Sequence, residues 1–514
     1  MFTYVKFKNY KSLVDLTVDL CTKNNIPKNF ICIYGANGSG KTNFSSVFKT
    51  LSDTLKTLQI RDIRERILSE REMGKNIDNN YLRFIYNDIS NIIAENKTIN
   101  STENMILEFG FLIDEKPGCY QIEFDNERIV HEKLEYTLAK NRGCYFELSD
   151  SEIKINNFIF INSNYKKDFL ENIKKFWGKH SVLSILLYDM EDKADGYLKD
   201  QLHQNLFNVL RFFNNISCRI IGQSYSLNQI SSSYLSNINF DEGRIPLTEE
   251  PMLDQIRNYI QWFFTNTYKD ITGAYYKKNI NENSIDYKLI LQKKIYGTTI
   301  DVNFELESYG TKSLLDLLPF FIAAMQKGTV VIDEIDNAIH DILLFNLLRP
   351  LCSEMVGQLI ITTHNIALLD LDVPKDSFYF VDISDDGTKT FNCATDFNRI
   401  QAENSIRSLY LRNKFFILTL FHFMTGNEVR SILIEKGFVL AEIADKLGIT
   451  AQTLNSRLNA KNFKNEYISE LSSVLGISFE TQPYQSIDNL MSLIESQQRT
   501  IESLSRTIEN LSKK

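Results

Sequence analysis

A surplus of positive charge is missing from this sequence. Lysine and arginine number 57 against 65 aspartates and glutamates, a net charge of −8. The surface as a whole therefore offers no field for nucleic acid, and any contact with DNA must come from a local patch. Paired cysteines are missing too: the seven present are scattered, with no C-x-x-C spacing. The start, "MFTYVKFKNYKSL", alternates like a strand and does not resemble a secretory leader. Together these features predict a reducing, cytoplasmic setting. No uncharged apolar run approaches ~18 residues, so no membrane partner is expected. Proline and glycine are sparse, at 8 and 21 residues, beside abundant Phe, Tyr, Asn, Ile and Lys. That bias speaks of an AT-rich genome more than of a function. Hydrophobic residues make up 43%, enough for buried cores, and 514 residues suit two or three domains.

What is present begins with "ICIYGANGSGKTNF", residues 31–44. An apolar strand-like run breaks into Gly35-Ala36-Asn37-Gly38-Ser39-Gly40-Lys41-Thr42, which fits G-x-x-x-x-G-K-[ST]. In such a loop the N–H groups from Gly35 through Asn37, Gly38, Ser39 and Gly40 curl around a β-phosphate at a helix start. Lys41 adds a charge for the β/γ oxygens, and Thr42 adds a hydroxyl for Mg²⁺. The plainer alternative is a glycine turn between strand and helix. Further on, "TVVIDEIDNAIH" (329–340) carries Asp333 and Glu334 to the end of an apolar strand. Asp333 suits the Mg²⁺ shell and Glu334 the activation of a water, although buried strands also end in acids for other reasons. His364 closes "QLIITTHN", where it either serves chemistry or caps a neighbouring helix.

Between loop and acids lies "LESYGTKSLLDLLPFF". Ser308, Gly310 and Thr311 precede an expected amphipathic helix whose apolar face is Leu314, Leu315, Leu318, Phe321, Ile322 and Met325. That helix start is a second anion-binding end, which points to a nucleotide held between two subunits. Strands such as "TVVI", "QLIITT" and "SFYFVDI", apolar throughout, predict a parallel sheet covered on both faces, hence an α/β fold.

The order "GANGSGKT", "SYGTKS", "VVIDEID", "TTHN", after the opening "FKNYKSLVDLTVDL", resembles the ABC-type ATPases of the SMC/RecF and OLD class over residues 1–413. The resemblance implies ATP and Mg²⁺ as cofactors and hydrolysis of ATP to ADP and phosphate. It implies that Ser308 to Ser313 match a signature segment reaching the γ-phosphate bound by the other protomer. It implies Glu334 as catalytic base, Asp336 in a dimer-contacting loop and His364 as γ-phosphate switch. "SYGTKS" departs from the LSGGQ of transporters, and no Q-loop glutamine is placed between 45 and 110. Residues 43–307 lack the long heptads of SMC arms. The expectation over 45–300 is antenna strands with a compact inserted helical lobe. "VDISDDGTKTFN" reads as a hairpin turn, and no nuclease of OLD type fits in the space that follows.

Past residue 413 the composition changes. "FFILTLFHF" (415–423), within an apolar connector 414–423, is either a buried helix or a translated spacer joining two frames, since Met424 opens a run that reads like a chain start. Residues 424–482 contain "VLAEIADKLGITAQTLNSRLNAKNF", which reads as helix, tight turn at Gly448, helix capped by Thr450. It resembles the Cro/repressor-type helix-turn-helix family, with Gln452, Thr453, Asn455, Ser456, Arg457, Lys461 and Lys464 facing DNA. Six basic against seven acidic side chains over 424–484 leave a helical protein-contact module as the alternative. From 485 to 514, Ile487, Ile494, Ile501 and Ile508 alternate with Leu490, Gln497, Leu504 and Leu511 at heptad spacing, a parallel dimeric coiled coil or else a surface helix. The whole predicts an ATP-driven switch that dimerises on ATP and works on or near DNA, and the resemblance implies a role in anti-phage defence or DNA maintenance. The other readings are an ATP-tuned transcriptional regulator and an ATPase subunit controlling a separately encoded toxin or nuclease.

Overall fold

The computed structural model describes residues 1–72, 88–138, 140–192, 196–221, 238–384, 386–397, 405–411, 426–436, 438, 440–459, 467, 471, 474 and 475. The chain forms two compact units, 1–417 and 418–514. In the first, a hairpin of β1 (Phe2–Tyr10) and β2 (Leu13–Asp19) leads to β3 (Phe30–Gly35) and the 32-residue helix α1 (Lys41–Glu72). Helix α2 (Ile89–Asn96) precedes β4 (Met105–Ile113), β5 (Lys116–Phe124), β6 (Ile129–Thr137), β7 (Arg142–Ser149) and β8 (Ile153–Ile155). These strands extend the first hairpin into one antiparallel sheet, ordered β2-β1-β4-β5-β6-β7-β8. Helices α3 (Ser163–Phe176), α4 (Val182–Asp192), α5 (Tyr197–Gln201) and α6 (Gln204–Asn214) follow.

The second half continues with β9 (Ile216–Arg219), β10 (Glu242–Pro246), α7 (Glu250–Thr267), β11 (Ile271–Ile280), β12 (Ser284–Ile295) and β13 (Thr298–Asn303). Then come α8 (Tyr309–Met325), β14 (Thr329–Ile332), α9 (Asp341–Glu354), β15 (Gln358–Thr363), β16 (Phe378–Ile383), β17 (Lys389–Cys393) and α10 (Ile406–Leu411). Strands β10 to β13 form a small antiparallel sheet, while β17-β16-β3-β15-β14-β9 form the central one. Every pair in the central sheet is parallel except the β16–β17 hairpin. Asp386 ties that hairpin's turn through Ser384 and the Thr388 amide, a turn role for this acidic run.

The central strands are buried on both faces because their residues alternate between two cores. Ile31, Ile33, Val331 and Ile360 join one core with Phe44, Phe48, Phe2 and Phe109 from α1 and the antiparallel sheet. Cys32, Tyr34, Val330, Ile332, Leu359 and Ile361 join the other with Ile256 and Phe264 of α7 and Leu314 and Leu318 of α8. Period-two alternation in a strand with no polar face requires both surfaces to be covered. Gln358 is fully buried at the junction, exchanging hydrogen bonds with Phe2 N (2.8 Å) and Phe2 O (2.9 Å) and donating to Lys28 O (3.0 Å). Such an amide is tolerated in a core because each polar group has a partner.

Two expectations need correction and a third is extended. Over 45–300 the described residues carry strands between 105 and 155 and helices between 163 and 214, and to the expected antenna strands and helical lobe is added a second sheet, with strands between 242 and 303. The strands follow from strict alternation, as in β5, whose inward residues Tyr120, Ile122 and Phe124 are buried. Lack of heptads excluded long arms but not a sheet. Met325 lies at the last turn of α8 and is 41% exposed, while Leu314, Leu315, Leu318, Phe321 and Ile322 are buried. Gly310 and Thr311 belong to the first turn of α8 and do not precede it, since Ser308 is the N-cap.

In the second unit, α11 (Gly426–Glu435), α12 (Leu440–Lys446) and α13 (Ala451–Arg457) surround Val429, Leu433, Ile443, Ala444, Leu454 and Leu458. Gly448 turns between α12 and α13 at φ +65°, and Thr450 Oγ1 accepts from Thr453 N at 3.2 Å. The connector 414–423, Lys461, Lys464 and the heptads of 485–514 lie outside the described residues. Among the described residues no helix is long and apolar enough to cross a membrane.

Candidate functional site

Strand β3 ends at Gly35, and the loop 36–40 turns directly into α1. A Cβ on Gly35 would sit 2.5 Å from Ser39 Oγ, so only glycine lets Ser39 fold beneath the loop. Gly40 has φ +108°, a conformation open to glycine alone. The N–H groups of Gly38, Gly40, Lys41 and Thr42 make no hydrogen bond among the described residues. They converge at the positive end of a long helix, an arrangement suited to an anion. Lys41 Nζ donates to Gly35 O (2.9 Å) and Ala36 O (3.1 Å), and burial pulls its pKa below the usual lysine value.

Asn37, Gly38, Gly40, Lys41, Thr42 and Asn43 line an open cavity of about 240 Å³, closed on one side by Glu334. Because β14 is the neighbour of β15, itself the neighbour of β3, Glu334 lines this cavity and Asp333 lies buried next to Thr42. Asp333 is fully buried, and burial raises its pKa above the usual carboxylate value. Its Oδ1 accepts from Thr362 Oγ1 at 2.6 Å, whereas Oδ2 has no hydrogen-bond partner. The Thr42 hydroxyl is a close neighbour that partly offsets the rise. A buried, unpaired carboxylate oxygen beside a threonine hydroxyl is a donor set that a hard divalent cation satisfies. Among the described residues no group of three His, Cys, Asp or Glu side chains is placed to hold a metal ion, and a cation at Thr42 and Asp333 would complete its shell with phosphate and water oxygens.

Glu334 adopts φ +46° in the turn after β14, with its amide donating to Thr362 Oγ1 at 2.8 Å. Thr362 thus grips both acids at once. The parallel register, Ile332 against Ile361, sets Thr362 across from Asp333. Asp336 Oδ2 accepts from His364 N at 3.2 Å, and its Oδ1 is buried without a partner. His364 is exposed; partial burial and then the Lys41 charge lower its pKa, so the imidazole is neutral at pH 7.

The 308–313 segment stands elsewhere in the same chain. Ser308 Oγ accepts from Thr311 N at 3.2 Å, and Ser308 and Tyr309 are exposed. A Cβ on Gly310 would come within 3.0 Å of Ala338 O, so this helix start packs on the turn that carries Asp336. None of Ser308, Gly310, Thr311 or Ser313 lines the Lys41 cavity.

Two side chains went unrecognised in the sequence. Lys389 Nζ donates to Ser12 Oγ (2.6 Å) and to Gly38 O (3.3 Å), laying its stem over the glycine loop. Ser12 also accepts from Asn43 Nδ2 at 2.6 Å. Nothing in the spacing of Lys389, some 350 residues from the loop, announces this contact. Thr362 was legible only through the pairing of β14 with β15.

In the second unit Gln452, Thr453, Asn455 and Ser456 are exposed on α13. Asn455 is engaged by Arg430 Nη2 at 2.5 Å, and the Arg457 guanidinium lies 3.9 Å from the Tyr467 ring centre.

Among solved structures, an SMC head bound to the C-winged-helix domain of ScpA is 15% identical, covering 76% of this chain and 96% of that one, at TM-score 0.38. The SMC head of Thermotoga maritima is 13% identical, with coverages of 76% and 98% and TM-score 0.32. The recombination mediator RecF is 11% identical, with coverages of 76% and 98% and TM-score 0.33. No curated protein matches the chain. The sequence family described as "AAA domain, putative AbiEii toxin, Type IV TA system" matches residues 30–176 and 223–370, which carry the glycine loop, both acids, the 308–313 segment and His364. Those stretches make up more than half of the sequence, and the chain belongs to this family of AAA domains.

Proposed function

We propose that the protein is a Mg²⁺-dependent ATP-binding and ATP-hydrolysing switch of the SMC/RecF and OLD-like kind that dimerises on ATP. The observation that carries this reading is the unpaired, buried Oδ2 of Asp333 beside Thr42, which itself lines the cavity together with Lys41. Thr42 and Asp333 would hold the cation, which when bound offsets negative charge on the β- and γ-phosphates. The loop amides and Lys41 bind and orient the phosphates. Glu334 takes the proton from the attacking water as its oxygen bonds to the γ-phosphorus, and the bond to the β–γ bridging oxygen breaks, leaving ADP and phosphate. Neutral His364 serves as donor to a γ-phosphate oxygen, and the Asp336 carboxylate holds the backbone of His364 in place.

Dimerisation follows from what the cavity lacks. Its walls come from Asn37, Gly38, Gly40, Lys41, Thr42, Asn43 and Glu334, while the exposed Ser308 start of α8 does not line it. Two copies arranged head to tail would complete each other's centres, and opening after hydrolysis would change what the molecule grips. The exposed Gln452, Thr453 and Ser456 of α13 favour work on DNA. The family's description as a putative toxin of a type IV toxin–antitoxin system supports a defence setting, and equally a second reading in which the ATPase governs a separately encoded effector.

The test has two arms. ATP turnover by the full chain should require Mg²⁺; turnover that survives complete chelation contradicts the proposal. Duplex DNA should raise fluorescence anisotropy with the full chain but not with a chain ending at residue 417, and equal binding by both removes α13 from the account.

A further inference from the structure

Far from the glycine loop, the same helix α1 lines a second cavity of about 630 Å³. Its floor is buried and partly apolar, with Thr57, Ile60, Ile89 and His180. Its walls carry Arg61, Arg64, Arg128, Lys175 and Lys179 against only Asp88 and Glu127. In a chain of net charge −8, five cations converging on one hollow are a local reversal of sign. Neighbouring acids compensate them poorly. Arg64 meets Asp88 at 3.8 Å, and Arg61 meets Glu65 at 3.5 Å with its buried Nε making no hydrogen bond. Arg128 is paired outside the cavity with Asp150 at 2.9 Å, while Lys175 and Lys179 form no ion pair among the described residues. Arg61 and Lys175 both stand 4.8 Å from the Phe176 ring centre. Burial and then Arg61, Arg64 and Lys179 push His180 down to about 4, so it enters the hollow as a neutral imidazole bonded to Thr57 Oγ1 at 3.0 Å.

We propose that this hollow is a binding site for a small, multiply charged phosphate compound of nucleotide size, distinct from the ATP site. The volume lies in the range of small-ligand sites. Guanidinium and ammonium groups supply the charge-assisted donors that phosphates require, and the isoleucine floor suits a ring. A duplex, whose major groove alone is ~12 Å wide, does not fit into a concavity of this size. Site and loop share one continuous helix: Arg61 lies 20 residues beyond Lys41, or ~30 Å along α1 at ~1.5 Å per residue. A ligand clamped between α1, α3 and the β5–β6 turn therefore braces the helix that presents Lys41 and Thr42, which makes the site a regulatory one.

The experiment uses the full-length Lys41→Ala protein, so that binding at the glycine loop does not intervene and a failure here leaves the ATP reading untouched. Inorganic tripolyphosphate and GTP are titrated separately by calorimetry, which separates a bare polyphosphate from a nucleotide as the source. One site per chain is expected, weakened about tenfold or more when Arg64→Gln and Lys179→Gln are combined, since two of the cations that would face the phosphates are removed. Both of these side chains reach solvent, and an unchanged melting temperature checks that the variant is folded; Arg128→Gln is the second variant if it is not. Binding of either probe that the variants weaken supports the site. Absence of binding, binding indifferent to the variants, or displacement of the probe by duplex DNA overturns it.

Discussion

Helix α1 begins with the amides of Gly38, Gly40, Lys41 and Thr42 unbonded, whereas α8 begins with its Thr311 amide already closed by Ser308 at 3.2 Å. A third start, that of α4, is closed by a buried carboxylate: Glu132 accepts from Val182 N at 2.8 Å, from Trp177 Nε1 at 3.1 Å and from Tyr120 OH at 2.9 Å. All three have the same positive end to satisfy. Where a structural cap is needed, the chain supplies its own oxygen. At α1 it supplies glycines, a lysine and an orphaned acid instead, and the helix end stays ready for a phosphate. Ser308 sits between these extremes, capping its helix while remaining exposed.

The contrast can be broken most forcefully at Lys41. Replacing it with alanine should weaken ATP at least ~100-fold in a calorimetric titration, because two charge-assisted contacts of ~1.5–3 kcal/mol disappear. Wild-type affinity in that variant would mean that the amides suffice and that Lys41 only braces the loop through Gly35 and Ala36. Glu334→Gln should lower turnover by ~10²–10⁴ while retaining ATP. Gel filtration of that variant with ATP should reveal a trapped dimer; a monomer would sink the two-subunit centre.

The smallest effect concerns the self-sufficient start of α4. Burial raises the Glu132 pKa from 4.5 to about 7. A raised folded-state value makes its contribution to stability full below pH 4.5 and progressively lost as the pH climbs, with the loss complete once about 7 is passed. The magnitude is on the order of 3 kcal/mol. Melting temperature should therefore fall between pH 5 and 8 more steeply in the wild type than in Glu132→Gln. Parallel curves would assign the pH dependence to other groups.

How much of this was legible beforehand depends on distance along the chain. The glycine loop, the strand before it and the helix after it are local, and their residues declare them. So do Asp333 and Glu334 at the end of four apolar residues, and the hairpin around Asp386. The antiparallel sheet was half hidden because β1 pairs with β4, some hundred residues later, and alternation alone does not name a partner. Thr362 became visible only when β14 and β15 were paired, and Lys389 only when β17 was folded back over Ser12. The basic hollow joins α1, α3 and a hairpin turn, and no window of sequence contains it.

The central claim is that each centre is completed by the Ser308 segment of a twin. Mixing full-length Lys41→Ala with full-length Ser308→Arg tests it directly, because each protein alone lacks one half of every site. In a mixed dimer one centre pairs an intact loop with an intact Ser308. The account predicts that two inactive preparations regain ATP turnover on mixing, and turnover that stays at the level of the separate variants would contradict it.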